Sequence, residues 1–600
     1  MICYTGRKLE KKLIAMDSIN RYKKRFCYSE LEKYVLGEDD YRVMSIYGLR
    51  RTGKTTMMYQ MMKQLDDYDA VCLIQCSPGE RMYDLTRVMD EHDGCKYYFI
   101  DEVTNLENFI NTAAVLSDAY AAFGAKVVLS GTDSLGFNIA KRDQLFDRTY
   151  TLHTTYITYK EYNYLLGRSL DEYIMYGGTL TDGKTNYNHD YYNDYSNSAI
   201  VRNLTHTLSH IGRDGEYGEL ISIFKTNDLR TFINKILELY NRSFLAETVN
   251  KNFISHDLGS LKDLLERKHS NIDISIFDSK VLRNQIMAEL DIQEPLHSIA
   301  TTKAIEEAKE WLEILDVIYR IPQTINKEYP EREEVIFTQP GLRYNQLTGL
   351  VKSLQDSSAL AALSHSQRNY ICELITNDIK GRMLEDIIYY QLAKDDILAK
   401  EYEVTKFKSP YGEFDVVLID KKTDTAIAIE IKHSTAVNAK QARYLNDEKV
   451  CQKFADEYHA SVKEKVVIYM GETLYETVNG VKYINAEDFL KTPKYTLSWL
   501  LLSEKHNQSI EADLEGFFSA SYKKNCMVHN NSEIAAVLAT KELFLAGYDV
   551  GKIYPVLEKI LPQAHKDDLY SLNIIHKAKA ELSTSENVQS KEVQNMGIRP

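Results

Sequence analysis

The sequence predicts a multidomain α/β protein: a parallel sheet built around a phosphate-binding loop, a helical and winged-helix middle, an αβββαβ unit and a helical tail. Three observations carry this. A strand, a glycine-rich loop and a helix follow one another at 43–65. Short apolar strands then alternate with helical stretches to about residue 165, the pattern of a parallel sheet covered on both faces. Further on, the region 375–490 reads helix, three strands of period two, helix, strand. At 600 residues the chain exceeds one hydrophobic core, and about three to five domains are expected.

The first element is the most specific. Val43-Met44-Ser45-Ile46-Tyr47 reads as a buried strand, and Met57, Met58, Met61, Met62 and Leu65 recur at helical spacing. Between them, Gly48-Leu49-Arg50-Arg51-Thr52-Gly53-Lys54-Thr55 fits G-x-x-x-x-G-K-[ST] at every fixed position. Backbone N–H groups of such a loop wrap phosphates at a helix N-terminus, so Gly48, Arg51, Thr52, Gly53, Lys54, Thr55 and Thr56 are the candidate nucleotide contacts. Lys54 reaches the β/γ oxygens and the Thr55 hydroxyl holds Mg²⁺. The expected cofactors are ATP (or GTP) and Mg²⁺. The plain alternative is a chance glycine turn.

Two more strands belong with this loop. Tyr97–Ile100 is an apolar run ending in Asp101-Glu102. A strand end delivering two carboxylates suits a metal-shell ligand, Asp101, and a general base for water, Glu102. Two solvated acids are the plainer reading. Lys126–Leu129 leads into Ser130-Gly131-Thr132, where a hydroxyl can sense the γ-phosphate. Arg148 precedes the next alternating run. It is a candidate arginine finger, which implies a homo-oligomer, or else a surface arginine.

The αβββαβ region carries a second constellation. Its first helix holds Glu385, its second strand Asp415, and its third strand Glu430 and Lys432 two residues apart, hence on one face. Asp415 and Glu430 are hard oxygen ligands for Mg²⁺, and Glu385 is a further ligand or shapes the site. Lys432 can stabilise the charge of a phosphodiester in hydrolysis. Asp415, Glu430 and Lys432 are therefore candidate catalytic residues. The alternatives are a cross-strand ion pair, or a nuclease-like fold that does not cleave. Lys406, Lys408 and Lys440 line a nucleic-acid groove or are scattered surface lysines.

The order of these pieces resembles prokaryotic AAA-type P-loop ATPases with a winged helix and a C-terminal PD-(D/E)XK, restriction-endonuclease-like domain. The matching residues are Gly48–Thr55, Asp101-Glu102, Leu129–Thr132, Arg148, Tyr176-Gly177-Gly178, Asp415, Glu430 and Lys432. The resemblance spans roughly 40–490. It implies ATP binding and hydrolysis, a DNA partner, and a role in defence or mobile-element biology. The family has a glycine before the arginine matching Arg148, and here Asp147 stands there.

The expected divisions are an N-terminal helical segment at 1–40, the ATPase at 41–165, a helical lid and loop at 166–225, a winged-helix-like domain at 226–345, the nuclease-like domain at 346–500, a helical tail at 501–582 and a disordered tail from 583 to 600. Within the lid, 182–198 reads as a long polar loop. In the middle, Leu229, Phe232, Ile233, Ile236, Leu237 and Tyr240 form one stripe, and a later helical piece carries Leu258, Leu261, Leu264 and Leu265. Strand-like runs at 317–321 and 334–337 complete three helices and a wing, which either enters a DNA groove or packs as a connector. The helical tail would engage an unidentified protein partner.

Composition narrows the setting. A net charge of −14 argues against coating nucleic acid by bulk charge. There is no run of roughly 18 apolar residues, so no membrane partner is expected. The eight cysteines show no C-x-x-C pair. Neither a zinc site nor a disulfide framework is expected, and free thiols suit a cytoplasmic location. The 43 tyrosines have no functional reading.

Overall fold

A computed structural model describes residues 1–16, 19, 21–38, 40–181, 185–210, 217–254, 279–290, 300–322, 334–361, 363–395, 398–474, 478–491, 518, 522, 532–545 and 557. The chain forms two compact units, 1–496 and 497–600. In the second, the helix Ser532–Leu545 falls within the expected helical tail. The residues beyond it, Leu557 apart, including the tail from 583, lie outside the described residues. Among the described residues, no helix is long and apolar enough to cross a membrane.

The first unit opens on a six-stranded sheet of β1 (Ile2–Thr5), β2 (Val43–Tyr47), β3 (Val71–Gln75), β4 (Tyr97–Asp101), β5 (Lys126–Gly131) and β6 (Thr149–His153). Its order is β1-β3-β4-β5-β2-β6, and every pairing is parallel except that of β1 with β3. Successive strand residues bury to opposite faces. Val43, Cys72, Ile74, Tyr98 and Ile100 enter one core, while Met44, Ile46, Leu73, Phe99 and Val128 enter the other with Met57, Met58, Met61 and Met62. Each fully buried methionine of the helix Lys54–Leu65 stabilises by roughly 1.5–3 kcal/mol.

The N-terminal segment differs from its all-helical expectation. Ile2–Thr5 is a strand that extends the sheet, because its β-branched and aromatic residues pair in register with Cys72–Gln75. The helices Gly6–Ala15 and Tyr28–Leu36 bury Leu9, Leu13, Leu31 and Val35 in the sheet's own core. The expected loop at 182–198 also differs. It folds into short helices at Tyr187–Asp190 and Tyr192–Ser196 and a π-turn at Asn197–Val201. Burial of Tyr195, Ala199 and Ile200 outweighs the weak helix propensity of its asparagines and aspartates.

In the middle, the helices Leu229–Ile254, Ser279–Leu290 and Thr302–Ile314 precede an antiparallel pair, β7 (Ile318–Arg320) and β8 (Val335–Phe337). The stripe from Leu229 to Leu237 is buried with Trp311. Leu258, Leu261, Leu264 and Leu265 lie outside the described residues. The helix Pro340–Asp356 leads to the long helix His365–Ala393, which starts at a reciprocal Ser364–Gln367 capping box. A five-stranded sheet follows, comprising β9 (Tyr402–Ser409), β10 (Gly412–Asp420), β11 (Thr425–Lys432), β12 (Ser461–Tyr469) and β13 (Lys482–Asn485), in the order β13-β12-β11-β10-β9. β9, β10 and β11 are antiparallel neighbours, while β12 returns parallel to β11 through the helix Glu448–Tyr458. The helix–three-strand–helix–strand order matches the expected αβββαβ unit, with β13 added.

One buried side chain joins the N-terminal segment to the glycine loop. The Arg25 guanidinium donates to the Thr52 carbonyl at 2.7 Å, the Thr154 carbonyl at 2.7 Å and the Tyr156 carbonyl at 3.2 Å. It also grips Glu161 through two bonds of 2.9 and 2.8 Å. Arg25→Met strips Glu161 of its cation inside the protein. It is expected to destabilise the region around the six-stranded sheet by about 3–5 kcal/mol, and Arg25→Met with Glu161→Leu should recover much of that loss. The midpoint of the corresponding transition in denaturant measures both.

Candidate nucleotide site and a second carboxylate cluster

The glycine loop leaves β2 at the carboxyl edge of the parallel sheet. Gly48 has φ 145°, and a Cβ there would stand 2.6 Å from the Thr154 hydroxyl and 2.9 Å from the Thr155 nitrogen, so only glycine fits. Thr154 and Thr155, just past β6, form the loop's floor. The Thr155 hydroxyl accepts from Leu49 N at 3.0 Å, and the Thr52 and Thr154 hydroxyls meet at 2.8 Å. Gly53, at φ 90°, turns the chain into the helix whose first residues are Lys54, Thr55 and Thr56.

Lys54 is buried, and its ammonium donates to the carbonyls of Gly48 and Leu49 at 2.8 and 2.9 Å. Burial pulls its pKa down to about 8, against the opposing pull of Glu102 and Asp101. The Thr55 hydroxyl lies 3.4 and 3.3 Å from the two Asp101 oxygens, and the Ser130 hydroxyl donates to the same carboxylate. The adjacent hydroxyl and carboxylate are hard oxygen donors, the chemistry Mg²⁺ selects. Glu102 sits in left-handed backbone, φ 56°, which ends β4 sharply. Its carboxylate accepts from Thr132 at 3.3 Å, and burial raises its pKa, partly offset by Lys54. The expected residues Lys54, Thr55, Asp101, Glu102, Ser130 and Thr132 therefore meet in one corner.

Arg148 does not join them within this chain. It stands at the opposite end of the sheet, where Val43 N donates to its carbonyl, and its Nε donates to Asp118 at 2.8 Å. Arg51 contacts the lid: its guanidinium lies 4.0 Å from the Tyr187 ring centre, and its carbonyl accepts from Leu180 N at 2.7 Å. The Tyr195 hydroxyl donates to the Arg50 carbonyl at 3.0 Å. Arg25, Thr154, Thr155, Leu180, Tyr187 and Tyr195 were not anticipated. The Thr-Thr pair closing a strand was a visible signal, whereas the others have none.

The second cluster lies on the five-stranded sheet. The pairing of β10 with β9 is irregular between Phe414 and Val417, a bulge that re-aims Asp415. Asp415 Oδ2 accepts from Ile431 N at 2.8 Å and from Lys432 Nζ at 3.3 Å. Lys432 Nζ donates to Glu430 at 2.7 Å. Asp415 and Glu430 are buried. Burial lowers the Lys432 pKa, but Asp415, Glu430 and Glu385 together drive it well above its usual value. The four expected residues thus converge, with the ammonium between the carboxylates. The carboxylate set fits a hard divalent cation, which would have to displace that ammonium. Lys406 is no groove lysine. It pairs with Glu334 at 2.8 Å and, with Asp386 3.7 Å away, pulls Glu334 down to about 2.

A parallel sheet whose first strand delivers a glycine loop onto a helix N-terminus, with an acidic strand end facing it, is the arrangement of a P-loop nucleotide-binding domain. Residues 40–163 match the family model described as an AAA domain. No curated protein matches the chain. Among solved structures, the Thermotoga maritima RuvB Holliday junction branch migration motor is similar at 16% identity, over 53% of this chain and 90% of that one, with a TM-score of 0.19. A score that low carries no argument.

Lys54 must be charged to meet a triphosphate. Below pH 8 it already is; above pH 8 binding must first take up a proton. ATP affinity is therefore expected to be level up to about pH 8 and then to fall by up to about tenfold per pH unit. Calorimetry across pH 6.5–9.5 checks this, and Lys54→Ala should lose binding throughout.

Proposed function

We propose that this chain is a Mg²⁺-dependent ATPase whose nucleotide state moves a DNA-binding, nuclease-like module. The observation that carries the reading is the meeting of Lys54, Thr55, Asp101 and Glu102 beside the glycine loop. Thr55 and Asp101 hold the Mg²⁺ shell, Lys54 meets the β/γ oxygens, and Glu102 takes a proton from the attacking water. Burial supports this last role, because it brings the carboxylate closer to the pKa of a working base. Ser130 and Thr132 sense the γ-phosphate. Arg148 acts on a neighbouring subunit's nucleotide in a homo-oligomer.

The nuclease-like module binds DNA and cleaves it through a divalent cation on Asp415, Glu430 and Glu385, with Lys432 freed to neutralise the scissile phosphate. A contact between the lid and the strand bearing the second cluster supports coupling. His433, next to Lys432, pairs with Asp171 of the lid helix Leu170–Tyr176 at 3.0 Å. A second reading, a nucleotide-gated docking module that never cleaves, is favoured by the ammonium already seated between the carboxylates.

Two measurements decide. Glu102→Gln should retain ATP binding and lower turnover on the order of 10²–10⁴-fold; unchanged turnover overturns the assignment. Supercoiled plasmid with Mg²⁺ or Mn²⁺, with and without ATP, should be nicked by the wild type and left intact by Asp415→Ala. ATP turnover with no nicking in any condition selects the docking module.

A further inference from the structure

Away from both sites, soft ligands gather at the sheet edge. Cys3 on β1, Cys72 on β3 and His92 place their ligand atoms within 4.8 Å of one another. Cys3 Sγ lies 3.3 Å from Cys72 Sγ and 3.8 Å from His92 Nε2. Cys95 stands nearby, its Sγ donating to the Asp69 carbonyl at 3.5 Å. Tetrahedral ligands about 2.0–2.3 Å from an ion stand roughly 3.5–3.8 Å apart, so these atoms need only small shifts to surround one. His92 carries an independent sign. Its Nδ1 lies 2.8 Å from the Val88 carbonyl, which fixes that nitrogen as the N–H and leaves Nε2, the atom facing the sulfurs, as the lone pair.

We propose that Cys3, Cys72 and His92 form a structural site for a soft divalent cation of the zinc type, the fourth position being taken by water or by Cys95 once it leaves the Asp69 carbonyl. Each thiol gives up its proton to solvent as it binds, and no redox change occurs. The ion clasps β1 to β3 and to the turn at 92–95, and so anchors the segment that leads to Arg25. Binding of catalytic Mg²⁺ is separate, since thiolates and imidazole select against hard cations.

The test uses the full chain, purified under reducing conditions, loaded with Zn²⁺ or Co²⁺ and dialysed. The expected result is about one ion per chain, with thiolate-to-metal charge-transfer absorption in the Co²⁺ form. Cys3→Ser and His92→Ala, at half-buried positions that leave the core filled, should each weaken affinity on the order of tenfold or more, with Cys372→Ser as the unaffected control. Less than about a tenth of an ion with no charge-transfer band overturns the site, as does equal loss in the Cys372→Ser control. A Cys3–Cys72 disulfide, found by peptide mapping in protein that takes up no metal, also overturns it.

Discussion

The Arg25 guanidinium is the constraint on which the nucleotide corner depends. It arrives from the N-terminal segment and bonds at once to the loop at Thr52, to the strand exit at Thr154 and Tyr156, and to Glu161 beyond. Burial alone would lower its pKa, but Glu161 more than compensates, so the cation persists inside the protein. A buried pair of this kind adds little net stability over a well-packed apolar substitute. Its yield is geometry, because a guanidinium's donors lie in one rigid plane. With the Thr52 carbonyl held, Gly53 is committed to its left-handed turn, and the helix start that presents Lys54 and Thr55 has one orientation. The two threonines past β6 complete the cradle from below.

Much of this could be read in the sequence wherever the chemistry is local. The glycine loop, Asp101-Glu102 and the strand bearing Glu430 and Lys432 each fall within a short window, and fixed periodicity then places their side chains together. Glu385 and Asp415 were legible one step further, through the order of elements. Arg25 was not, since nothing near it marks a buried arginine among other basic residues. Nor was the cysteine cluster, whose members stand at 3, 72 and 95. Its only local trace is His92-Asp93-Gly94-Cys95, a spacing that requires the sheet to bring Cys3 and Cys72 to it. The tyrosines gain a partial account. Tyr156, Tyr319 and Tyr390 pack ring against ring where the strand exit, the β7–β8 pair and the long helix meet.

The two acidic sites contain the same ingredients and carry opposite charge balance. At the first, the Lys54 ammonium bonds only to carbonyl oxygens, and Arg50 adds positive charge nearby. Burial depresses its pKa more than Glu102 and Asp101 restore it, and a triphosphate would add the missing negative charge. At the second, three carboxylates surround one lysine, whose pKa is driven up. That site holds more negative than positive charge, the balance that a divalent cation would complete. One lysine per site therefore does not imply one function, because what surrounds the ammonium determines which ligand lowers the energy.

The path between the sites runs through contacts with little slack. Gly178, at φ 103°, lies so near Gln339 that a Cβ would stand 2.5 Å from the Gln339 Cβ, and Gln339 Nε2 donates back to the Gly178 carbonyl at 3.0 Å. Gly341 N donates to the Gly177 carbonyl at 3.0 Å. The helix that begins there carries Arg343, which bonds to Asp386, the neighbour of Glu385, at 2.8 Å. At the other end, Leu180 N holds the Arg51 carbonyl of the glycine loop. Packed interiors respond to displacement by switching arrangement and not by yielding gradually. The lid thus touches the glycine loop at one end, through Leu180 N and the Arg51 carbonyl, and the helix Pro340–Asp356 at the other, through Gly177 and Gly178. A side chain at Gly178 would part the lid from Gln339 and the helix behind it, while one at Gly177 would meet Tyr173 of the lid's own helix, 2.5 Å from its carbonyl oxygen.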